Sequence, residues 1–239
     1  MIITLLGVSN SMIVAVTGLG REARIVSRPD IATVVGGGDP GRLREQIHSA
    51  IESGAKRVLS IGICAALAPE LRVGDRIVAT EVVTDEDRFE THQPWARELL
   101  ATVPGAQLGA IAGTHTILSN SAEKIRIRRA TKAAAADMES HIAAEIARDF
   151  ALPFAALRVV SDSSTQDLPH AATVGMAPSG EVDFFAVMRS IAAKPSQIPA
   201  LIRTGWEAEK AFRVLFRCRH VLAPSLAAPN LGELSLDVT

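Results

Sequence analysis

The 239-residue sequence lacks, first, any excess of charge: 25 Lys and Arg stand against 26 Asp and Glu. Phosphate backbones are gripped by clustered surplus Lys and Arg, so a nucleic-acid partner is not expected. Only two cysteines occur, Cys64 and Cys218. That is too few for the disulfide framework of a small secreted domain, and a cytoplasmic setting is expected. No uncharged run reaches the ~18 to 20 residues that a bilayer span requires. The apolar opening, Met1 to Val16, has no basic stretch and carries Ser9, Asn10 and Ser11, so it reads poorly as a signal peptide. Met12 is an alternative start, since Ile13 to Val16 begins the first convincing strand. There is no internal repeat and no low-complexity tract. These absences leave small-molecule chemistry on one α/β domain, residues 1–222, long enough to bury a core without staples. The tail, Ala223 to Thr239, shows no period and is expected to be poorly ordered.

Short runs rich in Val and Ile alternate with helix-like stretches, the pattern of buried, largely parallel strands. Strands are expected at Ile13 to Val16, Ala32 to Val35, Arg57 to Ile61, Arg76 to Val83, Gln107 to Ala112 and Phe154 to Ser161. Helices fit Gly41 to Ser53, Pro94 to Ala101, Ala122 to Arg129 and Met138 to Phe150. The fold class predicted is three-layer α/β/α, with helices on both faces of a mixed, largely parallel sheet.

After Asp162 the character changes, and Asp167, Pro169, Pro178, Ser179 and Gly180 mark a long irregular connection of the kind that often serves function. Two more helices fit Val182 to Ala192 and Gln197 to Val221. The second mixes Arg203, Lys210, Arg213, Arg217 and Arg219 with Leu201, Ile202, Trp206, Phe212, Leu215 and Phe216. Its bland reading is a helix packed on the domain with Arg stems spread over apolar surface. The sharper one is peripheral contact with an anionic membrane face.

Gly36-Gly37-Gly38-Asp39-Pro40-Gly41 matches the dinucleotide pattern G-x-G-x-x-G between a strand and a helix. A dinucleotide site also needs an acidic residue at the end of the next strand, but that strand ends Ser60-Ile61-Gly62-Ile63-Cys64. A tight turn with Asp39 capping the helix and Pro40 at its first position is the reading preferred, with anion binding at that helix start as its alternative.

Three further stretches couple a strand end to polar groups, as a site along the carboxyl edge of a sheet requires. They are Thr17-Gly18-Leu19-Gly20-Arg21-Glu22-Ala23-Arg24; Ser60-Ile61-Gly62-Ile63-Cys64-Ala65-Ala66-Leu67-Ala68-Pro69 with Arg72-Val73-Gly74-Asp75; and Asp137-Met138-Glu139-Ser140 with Arg158-Val159-Val160-Ser161-Asp162. In this order and at these separations they resemble the purine nucleoside phosphorylase and methylthioadenosine/adenosylhomocysteine nucleosidase superfamily, from about Ile13 to Asp162. Gly36 to Asp39, Asp137 to His141, Leu152 to Asp162 and Pro199 to Arg203 look like its hopanoid-associated branch, whose members are taken to remove adenine from adenosylhopane.

Cleaving an N-glycosidic bond builds positive charge on the sugar and negative charge on the base, so a proton donor and anionic support for the ribose are both needed. The resemblance implies the assignments. Asp162 matches the acid that protonates the purine at N7, with Ser161 beside it. Glu139 matches the grip on the ribose hydroxyls, and Met138 packs beneath the sugar. Glu22 matches the residue that holds the attacking water in the hydrolytic members. Gly62, Cys64 and Phe154 complete the implied substrate contacts. Where hexameric phosphorylases carry an Arg for phosphate, two residues before the glycine of the second stretch, this chain has Ser60. Water is therefore favoured over phosphate as nucleophile, with Arg21, Arg24 and Arg42 as alternative sources of positive charge. Ala65-Ala66 replaces the usual Gly-Gly and Cys64 a usual Ala, which narrows the nucleophile pocket.

Taken singly, Glu139 would be a solvated helix residue, Asp162 a turn cap and Glu22 a first-turn acid favoured by the helix dipole. His141 and Glu145 share a helix face but lack a third ligand, so no metal is expected, and His115 reads as a loop or packing residue. No cofactor is implied, phosphate being the alternative co-substrate. The expected partner is a small adenosyl substrate with an apolar tail, and a homo-oligomer is expected by resemblance. A methylthioadenosine or adenosylhomocysteine nucleosidase is the alternative enzyme, and a non-catalytic adenosyl-binding protein the alternative of another class.

Overall fold

The computed structural model describes residues 13–29, 31–174 and 184–226, with the side chains of 184 and 220–226 set aside. Met12, Pro178, Ser179, Gly180 and the tail beyond 226 lie outside these residues. Among the described residues there are eight strands: β1 (Ile13–Thr17), β2 (Ile31–Val35), β3 (Arg57–Ala66), β4 (Arg76–Val83), β5 (Arg88–Glu90), β6 (Ala106–Gly113), β7 (Ala135–Asp137) and β8 (Phe154–Asp162). The helices are α1 (Gly20–Val26), α2 (Pro40–Glu52), α3 (Gln93–Thr102), α4 (Ser121–Thr131), α5 (Ser140–Asp149), α6 (His170–Thr173), α7 (Phe184–Ala193) and α8 (Ile198–Leu226).

The sheet is mixed, in the order β2-β1-β3-β7-β6-β4-β5, with β8 paired to both β3 and β4. β1 runs parallel to β2 and β3, and β3 parallel to β8, whereas β4 meets β8 antiparallel. Because β3, β8, β4, β6 and β7 pair in a ring, the sheet closes on itself there, a curvature that alternating apolar runs do not announce.

Period-two alternation along the strands sorts side chains to two faces. Val14, Val16 and Val58 pack with Leu43 and Ile47 of α2 and Ile142 and Ile146 of α5. Their neighbours Ile13, Ala15, Leu59 and Ile61 pack with Val26 of α1, Trp95 and Leu99 of α3, and Ala211 and Leu215 of α8. Covering both faces explains why β1 and β3 are apolar almost throughout. The expected α/β class with helices on both faces is thus observed.

Local chemistry sets several ends. Asp39 accepts from the Arg42 N–H at 3.0 Å and Pro40 opens α2, so the glycine-rich segment is the capped turn. α8 continues to Leu226, past the expected helix end at Val221. Among the described residues no helix is long and apolar enough to cross a membrane.

Candidate active site

The carboxyl ends of β1, β2 and β3 lie side by side, since Thr17 pairs with Val35 and Val16 with Ser60. Glycines follow or lie in each: Gly18, Gly36 and Gly62. Their missing side chains make the space that polar groups fill. A methyl on Gly18 would stand 2.8 Å from Glu139 Oε1, one on Gly36 2.9 Å from Glu139 Cγ, and one on Gly62 2.5 Å from Glu22 Oε1.

Glu22 is buried at the start of α1. Its Oε2 accepts from the Gly18 and Leu19 N–H groups at 2.7 and 2.8 Å, and its Oε1 from the Ile63 N–H at 2.7 Å. One carboxylate therefore caps its own helix and ties it to β3. Burial pushes its pKa up, opposed by the Arg158 guanidinium and those three backbone donors.

Arg158, on β8 directly beside Gly62, is fully buried. Its Nη2 pairs with Asp137, donates to Ser60 Oγ at 2.5 Å and Ser140 Oγ at 3.1 Å, and lies 3.9 Å from Glu139 Oε2. Ser140 also donates to Asp137 at 2.5 Å. Asp137, Glu139 and Glu22 thus surround one guanidinium. Burial pushes Glu139 up to about 8, Arg158 acting against this and Asp137 and Glu22 adding to it. Arg158, Asp137 and Ser140 stood in the quoted motifs without a role, and their function as a buried charge network was missed.

Asp162, closing β8, accepts from Lys124 Nζ at 2.5 Å and from the Ser161 hydroxyl at 2.8 Å. The Ser161 hydroxyl also lies 3.0 Å from the Cys64 carbonyl, and its single proton serves one of the two. Pairing skips Ser161, with Cys64 opposite Val160 and Ala65 opposite Asp162. Such a bulge re-aims side chains at a strand end. Lys124, with no exposure, further donates to the Ser163 and Gln166 carbonyls at 2.8 and 2.9 Å. It pins the acid and the loop that follows. Within Ser-Ala-Glu-Lys-Ile-Arg-Ile-Arg-Arg it reads as one solvated charge among many, so it was missed too.

Met138 and Glu139 open into a cleft lined also by Gly36, Gly38, Asp39, Leu43, His115 and His141. Glu22 and Asp162 do not line it. Two expected contacts are corrected. Phe154 begins β8, eight residues from Asp162 at the far end of the strand, and packs in the core with Val58 and Ile146 near by in the same cluster. Cys64 likewise buries its thiol in the core, where burial raises its pKa well above the usual range, and offers the site its carbonyl. Among the described residues no three His, Cys, Asp or Glu side chains are grouped to hold a metal ion.

Residues 10–193 match the model of the phosphorylase superfamily, and the chain belongs to that family, whose enzymes cleave N-glycosyl bonds. No curated protein matches. Among solved structures, the 5′-methylthioadenosine/S-adenosyl homocysteine nucleosidase of Campylobacter jejuni superposes with a TM-score of 0.58 at 18% identity, over 85% of this chain and 99% of that one. The same enzyme from Helicobacter pylori gives 0.58 at 15%, over 86% and 96%. The native futalosine hydrolase of Helicobacter pylori gives 0.56 at 15%, over 87% and 96%. At such identities the likeness is one of fold.

Proposed function

We propose that the protein hydrolyses the N-glycosidic bond of an adenosyl compound, adenosylhopane by its resemblance to the hopanoid-associated branch, releasing adenine and leaving ribosylhopane. Water attacks C1′ as the C1′–N9 bond breaks. Asp162 passes to N7 of the departing base the proton that the Lys124 ammonium offers it at 2.5 Å, and Glu22 takes one from the water. Glu22 Oε1, engaged by a single backbone donor, keeps a lone pair for that water. Glu139 holds the ribose hydroxyls, with Met138 under the sugar and Ser161 orienting Asp162. The carboxylates clustered about Arg158 favour the positive charge that develops on the ribose.

The observation that carries the choice of water is Arg158. Ser60 stands where a phosphate-binding Arg is found in phosphorylases, and Arg158 reaches its hydroxyl at 2.5 Å. This guanidinium already faces Asp137, Glu139 and Glu22, so it offers little attraction to phosphate. Of the alternative cations, Arg21 pairs with Glu209 at 2.7 Å, and Arg42 donates to the Val35 carbonyl at 3.3 Å.

An apolar tail needs access from lipid. Phe185 and Met188 on α7 and Ile198, Ile202 and Trp206 on α8 are exposed, Phe185 by 87% and Trp206 by 76%. Arg189, Lys194 and Arg203 stand among them. Phe212, by contrast, is buried under Arg21, while Phe216 further along α8 is exposed, so the apolar residues that suit an anionic membrane are concentrated in, but not confined to, the first half of α8. α8 adjoins the acid loop, because Gln166 donates to Glu207 at 2.6 Å. The reading takes residues 1–222 and the rest of α8 as one unit, peripheral on the inner membrane face, and self-associating.

Adenine release from adenosylhopane and from methylthioadenosine, followed by chromatography with wild type and Asp162→Asn, tests the reaction. Release from adenosylhopane that the variant abolishes is expected. Release from methylthioadenosine alone would make the protein a nucleosidase of small thioadenosyl compounds. Binding without release from either would make it an adenosyl-binding protein.

A further inference from the structure

We propose that His141 is a hydrogen-bonding contact for a ribose hydroxyl, fixing the site's selectivity for the sugar. This inference rests on the nucleoside reading above and adds a residue which that mechanism does not use.

His141 stands two residues after Glu139, 95% buried by its 5% exposure, in the wall of the cleft that Met138 and Glu139 line. Neither ring nitrogen has a hydrogen-bond partner. Buried polar atoms are almost always satisfied, so two unmet nitrogens on one ring in the wall of a cleft point to an incoming ligand. The neighbours that could satisfy them are engaged elsewhere. Arg44 of α2 and Glu145 of α5 pair with each other at 2.6 Å. Asp137 is taken by Arg158 and Ser140. His115 meets the ring edge-on, with centroids 5.1 Å apart at 87°, a ring contact and not a hydrogen bond.

The ring's place is built. A methyl on Gly113, at the end of β6, would stand 2.4 Å from His141 Cβ and 2.8 Å from Nδ1. Only a glycine lets the imidazole lie against that strand end. Burial lowers the His141 pKa, so the ring is neutral, with one nitrogen donating and the other accepting. A hydroxyl, donor and acceptor at once, can pair with either nitrogen, whereas a phosphate or carboxylate could use only the N–H. His141 also lines a wider groove in which Thr84, Asp85, Asp87, Glu123 and Arg126 stand with Phe89, Leu118 and Ile127.

Equilibrium binding of 5′-methylthioadenosine and its 2′-deoxy and 3′-deoxy forms tests this, using wild type, His141→Leu and His141→Gln. One neutral hydrogen bond corresponds to roughly 3- to 10-fold in affinity. Wild type is expected to lose that factor, in addition to the Glu139 contact, when the hydroxyl that meets His141 is removed. His141→Leu loses it for methylthioadenosine and shows a penalty for that same deoxy form smaller by the same factor, while His141→Gln, which keeps a donor and an acceptor, recovers part of it. In turnover the loss falls on KM rather than kcat. Unchanged binding by His141→Leu, or the full wild-type penalty for both deoxy forms in that variant, would overturn the inference. Binding with these signatures but without adenine release would contradict the proposed reaction and leave the His141 contact standing.

Discussion

Glu22 and Arg158 meet at Gly62, where a methyl group would stand 2.5 Å from Glu22 Oε1 and 2.7 Å from Arg158 Nη1. Glu22 is anchored by three backbone N–H groups and Arg158 by Asp137, Ser60 and Ser140, so neither can swing aside. Gly62→Ala is expected to destabilise the protein by about 1–3 kcal/mol, as overpacking does. Moving the attacking water off line would lower kcat by roughly a hundredfold. Thermal unfolding and adenine release measure the two effects, and a fully active, equally stable variant would contradict this geometry.

Removing the guanidinium is more severe. Arg158→Met leaves three buried carboxyl groups without their cation, a loss of about 3–5 kcal/mol. Arg158→Lys is expected to recover little, because the lysine stem is one bond shorter and stops its ammonium short of the point where Nη2 meets Asp137, Ser60 and Ser140. Urea unfolding midpoints for the pair of variants check this, and near-equal recovery by Lys would count against the network.

Stability follows pH through the same cluster. Burial raises Glu139 from 4.5 to about 8 and raises Glu22 in the same direction. The folded state thus binds these protons more tightly than the unfolded chain does. Their contribution to stability is fully present below about pH 4.5 and is lost as pH rises towards about 8. Melting temperatures across that window are expected to fall with rising pH, and Glu139→Gln is expected to flatten the slope. A wild-type profile that rises through the window would contradict the raised Glu139.

Lys124 is expected to matter as a positioning residue. Lys124→Met strips Asp162 of its partner and frees the Ser163 and Gln166 carbonyls, costing about 3–5 kcal/mol. The loop after Asp162 then opens to protease while the rest of the fold stays resistant. Limited proteolysis separates this from global unfolding, and an unchanged cleavage pattern would show that Lys124 does not hold the loop.

The apolar face of α7 and α8 has its own test. Wild type is expected to pellet with vesicles of anionic phospholipid, and Phe185→Ser with Trp206→Ser to remain in the supernatant. Equal pelleting of both would locate any membrane contact elsewhere.

Much of this was legible in the residues. Val- and Ile-rich runs mark β1 to β4 because strands buried on both faces need no polar alternation, and Asp39-Pro40 marks the start of α2 by its own capping chemistry. Two strands were not legible. β5 and β7 have three residues each, Arg-Phe-Glu and Ala-Ala-Asp, and exist through pairing with β4 and β6. α1 was hidden because Gly20 opens it and its cap comes from Glu22, three residues inside. Met138 and Glu139 precede α5 rather than belong to it, which lets them face the cleft. Glu22, Glu139 and Asp162 were singled out through motif order, whereas Lys124 and Arg158 act through partners 38 and 21 residues away (Asp162 and Asp137), which no local pattern displays. Phe154 was misplaced because a shared strand says nothing about which end carries the site.

The most direct test is mass analysis of the sugar product from adenosylhopane turned over in ¹⁸O-labelled water, with and without phosphate. Hydrolysis assisted by Glu22 predicts a ribose that carries the heavy oxygen at C1′ and forms at the same rate in both buffers. A product that forms only with phosphate and carries it at C1′ would contradict the reading of Ser60 and Arg158 and make the protein a phosphorylase.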